Sequence, residues 1–426
     1  MAFEFPGVEG LGEGLGEENF GEAKVLQPIV NGSTINQYIT YLVQVTLGGE
    51  SYSSRKRYSD FEWLRNALTS CFPGVRVPPL PKKHSTAQGL LAKTGMSQEA
   101  FIETRRAGLE DFLKRCLQRK ELCVDSKILR GFLGTTSEEA TEEFKRKIDG
   151  VSISGKSQKY SQIFEALKEA SLPTEDRISP CKEFLRDQVQ QLRELSDGYK
   201  AIVDAQEAVT KALAGAQTKL SALSYSESTI IERAGFAKDS RIELIEGLRQ
   251  QSKVMQASPA MHYDLLLEAA ERELLEAEAM TEALESVELL ETDSQEAREK
   301  AQSMGTTLKK VMDGGEIPST GTGVARMLGI AAPKDREERI AEMKADHEKK
   351  QKDATAMEEW YELARRVLIC REMESFFREK VTGHKQAKNA FAGLSQSTAE
   401  RMVGIWGGGG PVATALDPLE AAVEYE

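Results

Sequence analysis

The sequence predicts an α+β domain at the N-terminal side, followed by an elongated all-α domain of the coiled-coil type. Apolar residues alternate with polar ones from Ile39 to Leu47, which is the period of a half-buried strand. Prolines between residues 73 and 81 then exclude regular structure. From Pro180 onward, apolar residues recur every three or four positions, which is the spacing of a helical seam.

Length, composition and charge limit the number of domains, the class of protein and the kind of partner. A chain of 426 residues is too long for one ordinary core, and its 40% hydrophobic and 29% charged residues fit a helix-rich protein. The net charge of −12 argues against nucleic acid as a partner. Residues 24–134, however, carry 17 Lys and Arg against nine Asp and Glu, so an anionic partner is expected for this part alone.

The compartment follows from features that the sequence lacks. The five cysteines show neither a disulfide framework nor the spacing of metal ligands, which is typical of cytosolic thiols. No run of 18 apolar residues predicts a spanning helix, and the acidic, Gly-rich start does not resemble a signal peptide. We therefore expect a cytoplasmic protein whose contact with a membrane is peripheral.

The first predicted elements are a tail and a compact domain. Residues 1–23 are acidic and read as a disordered tail, and residues 24–134 form the α+β domain. Gly48-Gly49 marks the turn of a β-hairpin. Ser59 and Glu62 form a capping box, which predicts a helix over residues 60–70. After the extended proline segment, a second helix is predicted from its apolar positions, Ile102, Leu109, Phe112, Leu113 and Leu117.

Residues 135–175 are predicted to be a linker that contains an amphipathic helix. Its apolar stripe has helical spacing and consists of Tyr160, Ile163, Phe164 and Leu167. Lysines flank the stripe, so the helix could insert into one leaflet of an anionic membrane. Alternatively, the stripe could pack on protein and connect the two domains. The residues alone leave both possibilities open.

Residues 176–405 are predicted to form three long helical segments, followed by a flexible tail over residues 406–426. Apolar residues from Leu185 to Leu213 follow a period of about 3.5 residues. Pro259 should kink the second segment, and the Gly- and Pro-rich residues 313–334 should separate the second from the third. Because three such helices cannot bury their seams alone, we expect an antiparallel three-helix bundle that dimerises.

One group of residues predicts the chemistry of a binding site. Arg57 and Tyr58 end the hairpin, Lys82 and Lys83 end the proline segment, and Arg105 lies in the next helix. A guanidinium donates two parallel hydrogen bonds to phosphate oxygens, an ammonium adds a compact charge, and a ring supplies a flat apolar surface. If folding brings them together, they form a pocket for a phosphorylated sugar ring.

With these residues the chain resembles the sorting nexins that join a PX domain to a BAR domain. The PX resemblance covers residues 24–134, and the BAR resemblance covers residues 176–405. The PX resemblance rests on three motifs: Arg57-Tyr58-Ser59-Asp60-Phe61, Pro78-Pro79-Leu80-Pro81-Lys82-Lys83, and Thr104-Arg105-Arg106-Ala107-Gly108-Leu109-Glu110-Asp111-Phe112-Leu113. The BAR resemblance rests on the lengths of the helices and on the PX domain that precedes them. Together they imply a PX domain of three strands plus helices, followed by a three-helix BAR domain. The break at 313–334 and the charged restart after it resemble the endosome-recycling and autophagy subgroup.

The resemblance also implies roles for individual residues. The position of Arg57 matches the residue that binds the 3-phosphate of phosphatidylinositol 3-phosphate, and Tyr58 matches the ring under the inositol. Lys83 matches the lysine at the 1-phosphate, with Lys82 as the neighbouring alternative. Arg105 matches the arginine that holds the ring hydroxyls.

Two further sets of residues are candidates for membrane contact. In the family an apolar loop inserts into the bilayer, and the matching residues here are Leu90, Leu91 and Met96, which could instead pack on the domain. Basic residues of the helical region could line a membrane-facing surface of the BAR dimer: Lys309, Lys310, Lys349, Lys350, Arg365 and Arg366. Such charges more commonly form a solvated helix face.

The expected function is therefore binding rather than catalysis. Four scattered histidines and the lack of nucleotide or nucleophile motifs argue against an enzyme, a metal or a cofactor. We expect phosphatidylinositol 3-phosphate binding and curvature sensing or induction by a homodimer or heterodimer with another PX-BAR protein. The expected place is the early or recycling endosome, in sorting and in autophagy. The alternative is a cytosolic coiled-coil scaffold with a weak membrane anchor.

Overall fold

The computed structural model describes residues 20–32, 38–81, 98–234, 241–257, 259–315 and 336–406. The chain divides into two compact units. The first comprises Met1–Lys182 and Ala279–Glu374, and the second comprises Glu183–Glu278 and Ser375–Glu426.

A three-stranded antiparallel sheet opens the first unit. It contains β1 (Gly21–Asn31), β2 (Tyr38–Leu47) and β3 (Glu50–Arg57), in the order β1-β2-β3. Gly48 and Gly49 connect β2 to β3 with φ angles of +60° and +83°, a backbone region that glycine adopts without steric cost. The predicted hairpin is confirmed. Its alternation is also observed, because Tyr41, Val43, Val45 and Leu47 are buried.

The start of β1 corrects the expected N-terminal tail. Residues 21–23 lie in the sheet, where Gly21 pairs with Leu47 and Ala23 pairs with Val45. The backbone of Phe20 also donates to Leu117 O at 3.2 Å. These residues follow an acidic, glycine-rich stretch of the sequence, but partner strand β2 satisfies the backbone groups of residues 21–23.

Two helices cover the sheet. Helix α1 (Tyr58–Cys71) begins two residues earlier than predicted, because β3 leads directly into it and Arg57 is its N-cap. The predicted Ser59–Glu62 capping box is therefore wrong: Asp60 Oδ2 accepts from Arg57 N at 2.8 Å instead. Helix α2 (Gln98–Leu117) confirms the second predicted helix. The Phe61 ring of α1 packs 6.4 Å from the Phe112 ring of α2, centroid to centroid.

The region expected to be a linker is largely helical. A π-helical turn (Glu121–Asp125) and helix α3 (Ile128–Gly134) are followed by α4 (Glu138–Asp149), α5 (Ile153–Ile163) and a 3-10 turn (Glu165–Leu167). Tyr160 and Phe164 are buried, whereas Ile163 and Leu167 are half-buried. Tyr160 packs against Trp360, and its hydroxyl donates to Pro73 O at 2.8 Å. This burial favours packing on protein over insertion into lipid for this stripe.

The long all-helical region is confirmed. It consists of α6 (Ile178–Ala234), α7 (Arg241–Ala257), α8 (Pro259–Met312), α9 (Arg336–Val367) and α10 (Met373–Trp406), with a π-helical turn (Leu368–Glu372) before α10. Pro259, predicted to kink the second segment, is the first residue of α8, where its missing N–H and fixed φ cost nothing, and residue 258 before it lies outside the described residues.

Helices α6, α8 and α10 contact one another within the second unit. The Phe184 and Phe377 rings lie 5.6 Å apart, and the Tyr263 and Phe391 rings lie 5.5 Å apart. Glu273 of α8 accepts from Gln188 of α6 and from Lys380 of α10. Three seam residues of α6 are nevertheless exposed to 44%, 39% and 49%, and these are Leu195, Ile202 and Val209.

None of the described helices combines the length and the apolar character that crossing a bilayer requires. Within the same described residues, His, Cys, Asp and Glu form no group of three placed to hold a metal ion.

Candidate binding site

Arg57 lies at the junction of β3 and α1. Its guanidinium carbon is 4.9 Å from the centroid of the Tyr38 ring, and Nη2 forms an ion pair with Glu138 Oε1 of α4. Its side chain is 36% exposed. Partial burial lowers the pKa of Arg57, but the hydrogen bond to Glu138 and the charges of Glu138 and Asp60 outweigh it and raise the pKa. Arg57 is therefore a firmly charged, accessible cation.

Tyr58 fixes the end of the proline segment. Its hydroxyl donates to Pro81 O at 2.7 Å, and Arg65 Nε donates to Pro78 O at 3.0 Å. Gly108 of α2 lets the segment approach closely, because a Cβ at this position would lie 2.8 Å from Pro81 Cβ. Lys82 and Lys83 follow directly in sequence and lie outside the described residues.

Arg105 of α2 projects between two aromatic rings. Its Cζ lies 4.9 Å from the Tyr58 ring centroid and 4.4 Å from the Phe101 ring centroid. Nε and Nη2 are both buried, and no acceptor for either is found among the described residues. The hydroxyl of Tyr41 is likewise buried, and it forms no hydrogen bond of full geometry there. It nevertheless lies close to Arg105: burial raises the pKa of Tyr41, and the charge of Arg105 and its side-chain contact with the hydroxyl oppose this rise.

The structure thus brings several predicted residues together. Tyr58 contacts both Arg105 and the end of the proline segment, and Arg57 precedes Tyr58 in the chain. A guanidinium that stacks on aromatic rings keeps its in-plane donors available for oxygen acceptors. The arrangement can therefore bind a ligand that is anionic and rich in hydroxyl groups.

Three residues of the site were not predicted from the sequence. Tyr41 belongs to the alternating pattern of β2 and reads as core, and Phe101 lies one position before the predicted apolar residues of α2. Glu138 pairs with Arg57 across 81 positions, and no local pattern signals such a contact.

The remaining candidates are placed as follows. Leu90, Leu91 and Met96 lie outside the described residues. Lys309, Lys310 and Lys349 are exposed on α8 and α9, Lys350 is also exposed and pairs with Asp346 at 3.2 Å, and Arg365 and Arg366 are half-buried.

A second arginine cluster lies in the same unit. Arg119 pairs with Glu121 at 2.8 Å and with Glu372, and Arg371 pairs with Glu121 at 2.9 Å. The two carboxylate side chains are only 5% and 1% exposed. Burial raises the pKa of Glu121, but Arg119 and Arg371 outweigh it and lower this pKa to about 2. Every charge in this buried network has a partner inside the protein.

Backbone contacts extend this junction toward the proline segment. Gly74 N donates to Ser286 Oγ at 2.9 Å, and Arg76 N donates to Glu372 Oε2 at 3.2 Å. Gly74 has a φ angle of +78°, and a Cβ there would lie 2.6 Å from Ala364 O. The chain that leads into the site is therefore attached to α8, to α9 and to the turn after α9.

Comparison with known proteins supports these observations. The PX domain family matches residues 44–136. Sorting nexin-12 of Mus musculus is 35% identical over 115 residues, which are 25% of this chain and 69% of that protein. Sorting nexin-30 of Mus musculus is 38% identical over 111 residues, which are 24% of each chain. The chain thus spans about a quarter of the length of sorting nexin-30.

Among solved structures, the chain is similar to one described as the cryo-EM structure of the SNX-BAR Mvp1 tetramer. The TM-score is 0.48 at 14% identity, over 89% of this chain and 99% of that one. A likeness of this size does not by itself establish a common fold. The PX match and the identity to sorting nexin-12, taken with the sheet and helices described above, lead to one conclusion: the chain belongs to the sorting nexin family and carries a PX domain.

Proposed function

We propose that the chain binds phosphatidylinositol 3-phosphate through Arg57, Tyr58, Lys83 and Arg105. The observation that carries this proposal is Arg105, whose two buried donors find no acceptor among the described residues. Buried donors are nearly always satisfied in proteins. Inositol hydroxyls beside the Tyr58 ring would supply the missing acceptors, and the 3-phosphate would bind Arg57.

The helical region would act as a BAR-type dimerisation domain. Its support is the exposed seam on α6, where Leu195, Ile202 and Val209 offer apolar surface for a second chain. A homodimer or a heterodimer places two headgroup sites on one bilayer, and such bivalency adds about 10²–10⁴ in avidity. Basic residues of α8 and α9 would contact the membrane, and curved endosomal membranes in recycling and autophagy would be the target.

The test is sedimentation with vesicles that contain phosphatidylinositol 3-phosphate, in several radii. Arg57→Ala should abolish binding, because the 3-phosphate loses its charge-assisted hydrogen bonds. Arg55→Ala is the matched control, since Arg55 lies two residues away and its guanidinium donates to backbone oxygens of Gln27 and Thr40. Unchanged sedimentation of Arg57→Ala would remove the proposed lipid site.

The same vesicles separate the curvature proposal from the scaffold alternative. A curvature-sensing dimer should prefer small vesicles and form tubules at high concentration. Binding that does not depend on vesicle radius, in a chain that remains monomeric, would contradict the proposed role of the helical region.

A further inference from the structure

The arginine proposed to bind the 3-phosphate already has an anionic partner in the protein. Glu138 Oε1 of α4 forms an ion pair with Arg57 Nη2. The glutamate side chain is 74% exposed and the arginine side chain is 36% exposed, so water and ligands reach the pair. A carboxylate therefore lies where a phosphate oxygen is needed.

The first turn of α4 holds Glu138 in this place. Ser137 is the N-cap of the helix, and its Oγ accepts from Ala140 N at 3.1 Å. Just before it, Thr135 accepts from the buried Lys56 Nζ through its carbonyl at 2.6 Å and its hydroxyl at 2.7 Å. Because Lys56 is the neighbour of Arg57 on β3, the start of α4 is attached beside the site.

The rest of α4 is attached to α1. Lys145 Nζ pairs with Asp60 Oδ1 at 3.1 Å, and Asp60 also caps the helix that Arg57 precedes. The Phe144 and Trp63 rings lie 5.7 Å apart in an edge-to-face arrangement. Glu138 is thus presented to Arg57 by a helix that is fixed at several points, and not by a free loop.

We infer that Glu138 is a further residue of the lipid site, a built-in competitor that sets its affinity by occupying Arg57 until a phosphate monoester displaces it. The inference rests on the proposed function. A carboxylate offers one charge and two oxygens, whereas a phosphate monoester offers a charge of about −1.5 to −2 and three oxygens. The phosphate therefore displaces the Glu138 carboxylate from Arg57, but part of its binding free energy is spent on breaking the existing ion pair.

The experiment titrates the full chain with inositol 1,3-bisphosphate, the soluble headgroup of the lipid. Each headgroup molecule occupies one site, so the measured affinity contains no contribution from two sites binding one membrane. Glu138→Gln should bind the headgroup about two- to fivefold more tightly, because breaking an exposed ion pair weakens binding by about this factor. Glu139→Gln is the matched control: it removes the same charge from the next residue of the same helical turn, which is also exposed. Its affinity should remain close to that of the wild type.

Two more variants assign the effect to Arg57. Glu138→Asp keeps the charge on a shorter side chain and should fall between the wild type and Glu138→Gln. In an Arg57→Ala background, Glu138→Gln should bring no gain. Thermal unfolding of each variant checks that α4 remains folded.

Each contrary result overturns one statement. If Glu138→Gln binds no more tightly than Glu139→Gln, or if its gain persists without Arg57, Glu138 is not a competitor at Arg57. In both cases the proposed lipid site stands. If Arg57→Ala binds the headgroup as the wild type does, the proposed function itself fails.

Discussion

Two arginine clusters in the first unit differ in how completely their guanidinium groups are paired with acceptors inside the protein. At the junction, Arg119 and Arg371 are neutralised by Glu121 and Glu372, whose side chains are almost fully buried. At the candidate site, Arg57 has one exposed carboxylate partner. Arg105 has two buried donors without an acceptor among the described residues. Complete pairing inside the protein marks an arginine that the fold needs, and incomplete pairing marks one that a ligand can use.

The strongest test of this contrast is Arg119→Met. It keeps the apolar volume but leaves Glu121 and Glu372 buried without their main partner. Breaking a buried ion pair in this way costs about 3–5 kcal/mol. The free energy of unfolding of the first unit, measured by urea denaturation, should fall by this amount.

Arg186→Met is the control for that measurement, because Arg186 is 75% exposed on α6. Its substitution should change the unfolding free energy by no more than about 0.5 kcal/mol. If Arg119→Met costs as little as Arg186→Met, the junction is not a stabilising network and the contrast between the clusters is lost.

An intermediate effect is expected for Arg105→Lys. Lysine keeps the charge but loses the planar guanidinium that stacks between Tyr58 and Phe101 and the fork of donors beside them. Affinity for inositol 1,3-bisphosphate should fall about 10- to 100-fold, while the unfolding free energy changes by less than about 1 kcal/mol.

Arg106→Lys is the neighbouring comparison. Arg106 donates to Val25 O at 2.6 Å and pairs with Glu110 at 2.8 Å, so its donors serve the fold. Its substitution should affect stability more than headgroup binding. The reverse pattern at these two neighbours would show that pairing inside the protein does not separate structural from ligand-binding arginines.

The smallest effect is expected for Tyr58→Phe. The ring remains, but the 2.7 Å hydrogen bond to Pro81 O is lost, which costs about 0.5–1.5 kcal/mol. Headgroup affinity measured by calorimetry should fall a few-fold, because the end of the proline segment is less well fixed. Tyr52→Phe, which removes a hydroxyl that donates to Glu50 on β3, should leave binding unchanged, and equal effects of the two variants would argue against this role for Pro81.

The sequence predicted what depends on local patterns. The hairpin follows from strict alternation and the Gly48-Gly49 turn, and α2 follows from its apolar spacing. The approach of Tyr58 and Arg105 could be expected only from the family motifs, because 47 positions separate them. The sequence predicts the wrong first turn of α1, since the N-cap is Arg57, which is not among the residue types that favour this position, and the end of β3 sets where the helix begins.

Contacts between distant charged residues could not be predicted. Arg119 and Glu372 are 253 positions apart, and Arg57 and Glu138 are 81 apart. A chain with 56 basic and 68 acidic residues offers very many possible pairs, and helical periodicity does not distinguish among them. The packing of the elements brings these residues together, and only the Arg119–Glu372 pair is buried, whereas the Arg57–Glu138 pair is exposed.

The attachment of the proline segment to α8 and α9 has a geometric consequence. Gly74 and Arg76 are hydrogen-bonded to Ser286 and Glu372, so the segment that ends at the candidate site cannot swivel independently of these helices. A lipid headgroup bound at the candidate site would fix the angle between α9 and the plane of the bilayer. Binding to a membrane would then orient the whole first unit as well as hold it at the surface.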